Sequence, residues 1–168
     1  NIDFDALFNK CQIICSAPMT FDVTVLQQYQ RCHSMTELDI IKGTVMDLYP
    51  QYEGSWKKYI EEGHSLLYSS GFVMRREDYV NYAEFFTNVC FETLNRMGLH
   101  TPDDVAQYTV NEINAGRKPN VNGLGADKGI LKYQMQLAGF WQERLSTLYI
   151  FNHFDRILFT PFIKMENI

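Results

Sequence analysis

The most constraining feature of this sequence is a long apolar segment at residues 130–154. Between Lys132 and Asp155 the only formally charged residues are Glu143 and Arg144, which are adjacent. A helix that is apolar on all sides is a buried helix, and a charge inside it is costly unless it is paired. The segment therefore predicts a central buried helix whose charged pair is either a structural clamp or part of a site.

Helical spacing places small residues around Glu143. Residues three and four apart share a helix face, so Gly139, Ser146 and Thr147 lie next to the Glu143 carboxylate and leave room in front of it. Arg144 lies on a different face, where its stem can pack while the guanidinium binds a carboxylate or phosphate. This arrangement suits a polar ligand, and it equally suits a buried ion pair to another helix.

The whole chain excludes several classes of protein. Its 168 residues and 46% hydrophobic content predict one domain, residues 1–168, with a sizeable core. A net charge of −5 without a basic cluster argues against a nucleic-acid binder, and no run is apolar enough to predict a transmembrane segment. Four cysteines are present, Cys11, Cys15, Cys32 and Cys90, and the lack of a CxxC pair argues against a zinc site. Two of them fall in an apolar run and Cys90 in a helix interior, where cysteine acts as a small hydrophobe, which favours a reducing, cytoplasmic setting.

Periodicity and cap signals predict a helix-dominated α/β (α+β-like) fold with a small sheet of short strands. Besides the segment at 130–154, helices are predicted at residues 3–9, 20–32, 36–50, 51–62, 76–97 and 101–114. Strands are predicted at residues 11–15, 64–68 and 71–74, where the last two runs form one irregular strand or two strands around a turn. Residues 156–164 are predicted to form a final strand or an extended tail. Residues 115–129 are rich in Gly, Asn, Lys and Pro and predict a flexible loop.

Four segments of the chain are distinctive: YQRCH at 29–33, DLYPQY at 47–52, LYSSGFVM at 67–74, and YQ at 133–134 with GFWQERL at 139–145. In this order they resemble a bacterial family known as domain of unknown function 4422. Two positions depart from the family pattern: Ser70-Gly71 stand where the family has an asparagine, and Met135-Gln136 where it has an arginine. The resemblance extends over most of the chain.

The resemblance implies a glycosyltransferase of capsular, exopolysaccharide or lipopolysaccharide synthesis, acting in the cytoplasm or at the inner face of the membrane. It also implies that this chain is the C-terminal portion of a GT-A-like fold. A nucleotide-sugar donor and a glycan acceptor would be its ligands, and an N-terminal half or a partner chain would carry the nucleotide-binding strands. A divalent metal is a candidate cofactor of the full-length enzyme, although the sequence offers no ligand set for it.

Sugar transfer needs an acid or base near the acceptor hydroxyl and cationic help for the leaving diphosphate. The resemblance therefore assigns Glu143 to the acceptor hydroxyl, with Arg144 either paired to it or facing the phosphates. Substrate-binding roles fall on positions in the other matching segments: His33, Tyr68, Ser69, Ser70, Tyr133 and Gln134. An interhelix hydrogen bond for His33 and a core position for Tyr68 remain the alternatives.

A different class of function is a non-catalytic helical protein-interaction module. An aromatic surface expected from four residues would then face a partner, because large exposed apolar patches mark interfaces; the four are Phe85, Phe86, Phe91 and Trp141. Binding of a nucleotide sugar distinguishes this module from the transferase.

Overall fold

The computed structural model describes residues 3–67, 71–118 and 132–161 of the chain. Seven helices of these residues enter the description below: α1 (Phe4–Phe8), α2 (Val25–Cys32), α3 (Met35–Leu48), α4 (Glu53–Trp56), α5 (Arg76–Met97), α6 (Pro102–Asn114) and α7 (Leu137–His153). A 3-10 turn at Pro50–Tyr52 precedes α4, and a π-helical turn at Lys57–Glu61 follows it. The strands are β1 (Ile13–Ser16), β2 (Met19–Thr20), β3 (Ser65–Leu66), β4 (Phe72–Met74) and β5 (Ile157–Thr160).

The strands form two small sheets. In the larger sheet β1 is central, antiparallel to β4 and parallel to β5, so that Ile13 lies opposite Met74 on one side and Ile157 on the other. In the smaller sheet β2 pairs with β3. The two apolar runs at 64–68 and 71–74 thus belong to different sheets. The helix-dominated α/β fold with a small sheet of short strands is confirmed.

The larger sheet buries one of its faces. Ile13 and Cys15 of β1 point into the core, with 0% and 3% of their surface exposed. Ile14 lies in register with Val73 and Leu158 on the opposite face. Val73 and Leu158 remain 44% and 40% exposed, so the described residues leave this second face largely open.

Helix α7 lies at the centre of the core, as its apolar sequence predicts. Trp141, Leu145, Leu148 and Ile150 are fully enclosed. The helix begins at Leu137, later than the predicted residue 130, because Gln136 is its N-cap; residues 130 and 131 lie outside the described residues.

Two helices follow their cap signals closely. Helix α5 spans the predicted residues 76–97 and ends at Gly98, whose φ of 69° is left-handed and favours glycine. Helix α6 begins after Thr101, whose side chain accepts from the Asp104 amide while the Asp104 carboxylate accepts from the Thr101 amide. Caps of this kind are local in sequence, which explains why they are predictable.

Two further helix predictions were wrong. Helix α2 begins at Val25 and not at residue 20, because Thr24 and Gln27 form its capping box while Thr20 pairs in β2. The single helix predicted at 51–62 is divided into a 3-10 turn, a short α-helix and a π-helical turn.

The aromatic surface predicted from Phe85, Phe86, Phe91 and Trp141 does not form. Phe85 and Trp141 are 3% and 0% exposed, and Phe86 packs against the core. Only Phe91 of the four is a largely exposed ring, at 66%. The buried face of α5 carries Tyr82, Phe85 and Val89 instead.

The stretch predicted as a flexible loop, 115–129, is described only to residue 118. Its described part folds back on α6: the Arg117 guanidinium binds the Glu112 carboxylate at 2.6 Å. Lys118 is 1% exposed, so this cation points into the protein. Residues 119–129 lie outside the described residues.

Candidate functional site

The Arg144 side chain is the centre of a buried polar cluster between α2, α3 and α7. Only 1% of it is exposed. Its Nη1 donates to the Phe140 carbonyl at 3.1 Å and to the Glu143 carboxylate, and its Nη2 donates to the Gln28 side chain. The guanidinium also lies 5.0 Å from the centre of the Tyr29 ring, a cation–π distance. Arg144 is therefore held in one position by contacts from two helices.

The Glu143 carboxylate differs from its neighbour in being accessible. Its side chain is 20% exposed, and among the described residues only Arg144 hydrogen-bonds to it. Burial raises the pKa of Glu143, and the adjacent guanidinium only partly opposes this rise. The result is an acid fixed on one side by a cation and open on the other.

The open side of Glu143 is not where helical spacing predicts it. Ser146 and Thr147 are 1% and 0% exposed, and their hydroxyls are already occupied. Ser146 shares a 2.7 Å hydrogen bond with Tyr82, while Thr147 donates to the Glu143 carbonyl and accepts from the Leu67 amide. The small side chains of Ser146 and Thr147 therefore leave space that Tyr82 and Leu67 fill. Gly139, one turn earlier, is exposed and marks the open direction.

Three of the predicted substrate-binding residues, Tyr68, Ser69 and Ser70, lie outside the described residues. The residues that flank them are well placed. The Leu67 amide donates to Thr147 on α7 at 2.9 Å. The Ser16 amide, at the C-terminal end of β1, donates to the Gly71 carbonyl at 3.4 Å. One flank therefore contacts α7, and the other contacts the C-terminal end of β1, an edge where open α/β sheets bind ligands.

His33 is buried beside Arg144, with 4% of its surface exposed. Its ring lies 4.0 Å from Phe140 and 4.7 Å from Tyr29, centre to centre. Burial, together with the positive charges of Arg144 and Lys118, lowers the pKa of His33 to about 3. The imidazole is therefore neutral at neutral pH, and Nδ1 has no hydrogen-bond partner among the described residues.

Tyr133 and Gln134 join the same cluster through Phe140 and His33. The Tyr133 ring lies 5.0 Å from the Phe140 ring and is 40% exposed. Gln134 is fully buried next to His33, and neither polar atom of its side-chain amide has a hydrogen-bond partner among the described residues. The structure thus brings together all the predicted site residues that it describes.

A second ion pair, between Glu37 and Lys118, was not predicted from the sequence. The Lys118 Nζ lies 2.8 Å from the Glu37 carboxylate, and both side chains are 0% exposed. The Tyr29 hydroxyl donates to the other oxygen of Glu37 at 3.0 Å, and burial raises the pKa of this carboxyl despite the nearby ammonium. One signal was available: Glu37 lies four and eight residues before Ile41 and Val45, on the buried face of α3.

An open cavity of about 270 Å³ borders this cluster. Its lining includes His33, Thr36 and Arg117, so the buried imidazole is close to solvent on one side. In the part of the chain that the structure describes, no group of three or more His, Cys, Asp or Glu residues is placed to hold a metal ion. No described helix is long and apolar enough to cross a membrane.

Comparison with known proteins gives one match. The model of the family described as "Domain of unknown function (DUF4422)" matches residues 1–111, which include the segments at 29–33, 47–52 and 67–74. The segment that carries Glu143 and Arg144 lies beyond this range. No curated protein and no solved structure matches the chain.

Proposed function

Since this chain belongs to the family described as a domain of unknown function (DUF4422), we propose that it is the acceptor-side part of a glycosyltransferase. It would transfer a sugar from a nucleotide-sugar donor to a capsular, exopolysaccharide or lipopolysaccharide acceptor. The matched family confirms the resemblance only at the level of a domain of unknown function. The transferase proposal rests on the resemblance of the four segments and on the geometry around Glu143.

One observation carries the proposal: the Glu143 carboxylate is half-buried, oriented by a fixed arginine and open on one side. Burial raises its pKa, and a carboxylate whose pKa is nearer to neutrality is a more effective proton acceptor. An acceptor hydroxyl bound at the open side would meet this carboxylate. Arg144, which donates to Gln28, Phe140 and Glu143, acts in this scheme by positioning the acid.

The remaining cluster supplies uncharged hydrogen-bonding groups. His33 is neutral, and its Nδ1 has no hydrogen-bond partner among the described residues; an uncharged imidazole beside the Gln134 amide suits sugar hydroxyls better than phosphates. Tyr133 offers a partly exposed ring. We assign Tyr68, Ser69 and Ser70 to the same ligand, because their flanking residues lie against α7 and the end of β1.

The donor side requires more structure than these residues provide. We propose that nucleotide-binding strands, from the same polypeptide or a partner chain, complete a GT-A-like fold against the open face of the larger sheet at Val73 and Leu158. A divalent ion, if the reaction uses one, would bind on that side. The cysteines are unpaired, which fits the reducing cytoplasm that we propose as the location.

The test is sugar transfer by the full-length protein carrying Glu143→Gln. The donors are UDP-glucose, UDP-galactose, UDP-N-acetylglucosamine and GDP-mannose, and the acceptors are lipid-linked glycans. Loss of general base catalysis should slow transfer at least about 100-fold. The matched control is Glu53→Gln, an exposed acid at the start of α4, which should transfer at the wild-type rate.

Two results would contradict the proposal. If the Glu143→Gln variant transfers sugar at the wild-type rate, Glu143 is not the base of the reaction. If the intact, monodisperse full-length protein binds none of the four nucleotide sugars in calorimetry, the interaction module becomes the better description. The burial of Phe85 and Trp141 already removes the aromatic surface on which that module was based.

A further inference from the structure

A second cleft lies at the other end of α7, between this helix, α5 and the turn before α4. Its volume is about 250 Å³. His153 on its rim is ten residues beyond Glu143, which corresponds to about 15 Å along an α-helix. We call it the His153 cleft; it shares no described lining residue with the Arg144 cluster.

Aromatic rings form the floor of the His153 cleft. The Phe85 ring lies 5.1 Å from Tyr49, 5.1 Å from Tyr52 and 5.2 Å from Tyr149, centre to centre. Tyr52, Phe85 and Tyr149 are nearly enclosed, whereas Tyr49 is only half-buried. Rings from three parts of the chain therefore make one rigid apolar floor, in which the half-buried Tyr49 is the ring most open to solvent.

His153 is fixed over this floor. Its ring stacks on Tyr149 at 4.2 Å, and its Nε2 shares a 2.5 Å hydrogen bond with the Tyr52 hydroxyl. Burial lowers the pKa of His153, and Asp78 only partly opposes this effect. The imidazole is thus a neutral, oriented group at the edge of the cleft, with one ring nitrogen left for a ligand.

The rim carries polar side chains that the fold does not use. Gln51, Asn81 and Glu84 line the cleft and are exposed. None of these three side chains hydrogen-bonds to another described residue. The fold therefore provides unsatisfied amide and carboxylate groups around an aromatic floor, a composition typical of small-molecule sites.

The charges of the lining restrict the ligand. Neither lysine nor arginine is among the described residues that line the cleft, so phosphates and nucleotides are disfavoured. An aromatic cage for a quaternary ammonium group would need few hydrogen-bonding groups, and this rim has several. A neutral ligand with many hydroxyls and an apolar face matches both the rim and the floor.

We propose that the His153 cleft binds one unit of an uncharged saccharide. The C–H face of a pyranose carries partial positive charge and suits the negative face of an aromatic ring, while Asn81, Glu84 and His153 hydrogen-bond its hydroxyls. This binding is separate from sugar transfer at Glu143. Saccharide binding in the cleft is measured directly, and the result does not depend on whether the chain belongs to a transferase.

The experiment is saturation-transfer NMR with methyl β-D-glucopyranoside, methyl β-D-galactopyranoside and methyl α-D-mannopyranoside as separate probes. Wild-type protein should transfer saturation to the ring protons of at least one glycoside. Asn81→Ala and Glu84→Ala should each weaken its binding about five-fold, the effect of one lost hydrogen bond. The matched control is Asn95→Ala, an exposed position near the far end of α5, which should bind like wild type.

Three outcomes would overturn the proposal. The first is no saturation transfer to any of the glycosides by folded protein. The second is transfer that both cleft variants leave unchanged, which would place binding elsewhere. The third is binding of tetramethylammonium in place of the glycosides, which would identify a cation cage. A signal that falls in the cleft variants and not in the Asn95 variant assigns binding to the cleft, so a failed transferase assay does not decide this question.

Discussion

The two buried ion pairs differ in access. Lys118 and Glu37 enclose each other completely, with both side chains 0% exposed, whereas Glu143 remains 20% exposed although its partner Arg144 is buried. Glu37 also accepts a hydrogen bond from Tyr29, while among the described residues Glu143 accepts only from Arg144. The comparison separates the two pairs by access: the enclosed pair has the geometry of a clamp, whereas the Glu143 carboxylate remains open to a ligand.

Burial raises the pKa of both acids, so a shifted pKa alone does not distinguish a clamp from a site. What distinguishes them is whether a ligand can reach the carboxylate. The following predictions test this distinction through the stability of the protein.

The largest effect is expected for Lys118→Met. Removing this ammonium leaves the Glu37 carboxylate buried without a counter-ion, which should cost about 3–5 kcal/mol in the free energy of unfolding. Urea denaturation at pH 7 measures it. The deficit should shrink as the pH falls, because Glu37 then takes up a proton in the folded state.

The control is Lys57→Met, which removes an exposed ion pair with Glu62 at 3.6 Å and should cost less than about 1 kcal/mol. The double variant Lys118→Met with Glu37→Leu should recover much of the lost stability. Equal losses for the Lys57 and Lys118 variants would mean that the enclosed pair is not a clamp.

The next effect concerns pH. The pKa of His33 is lowered from 6.5 to about 3 in the folded state, so the unfolded chain binds the proton first and stability falls as the pH drops below 6.5. Between pH 7 and pH 5 the wild type should lose about 2 kcal/mol more than His33→Gln. Urea denaturation across this range measures the two slopes. Parallel slopes would show that His33 is solvated and not part of the buried cluster.

The smallest effect is expected for Glu143→Gln. An amide of the same shape can still accept from Arg144 at a partly exposed position, so the free energy of unfolding should change by less than about 1 kcal/mol. Glu37→Gln is the matched comparison and should cost several times more, because it leaves Lys118 uncompensated. Thermal and urea denaturation of the two variants measure the difference. A loss at Glu143 as large as that at Glu37 would make both pairs clamps.

Sequence reasoning succeeded where the determining interactions are local. Helices α5 and α6 were bounded correctly because Gly98, Thr101 and Asp104 act within one turn of the helix ends. The burial of α7 followed from its composition, and the pairing of Arg144 with Glu143 was one of the two alternatives that the cost of an unpaired charge left open.

The contacts that were not predicted join residues that are far apart in the sequence. Lys118 lies in a polar, glycine-rich stretch, and nothing within that stretch indicates that its side chain forms an ion pair with Glu37 of α3. The small residues after Glu143 were interpreted as room for a ligand, whereas Tyr82 and Leu67 occupy it. Side chains from other elements decide such cases, and a single sequence does not reveal their arrangement.

Lys118 has one further consequence, for tolerance to changes in chain length. Besides binding Glu37, its Nζ donates to the Gln134 carbonyl at 3.4 Å, sixteen residues further along. The two ends of the intervening stretch are thus tied together without a covalent bond. Closing a longer loop adds only about 0.6 kcal/mol for each doubling of its length, so insertions there should leave Gln134 in place beside His33.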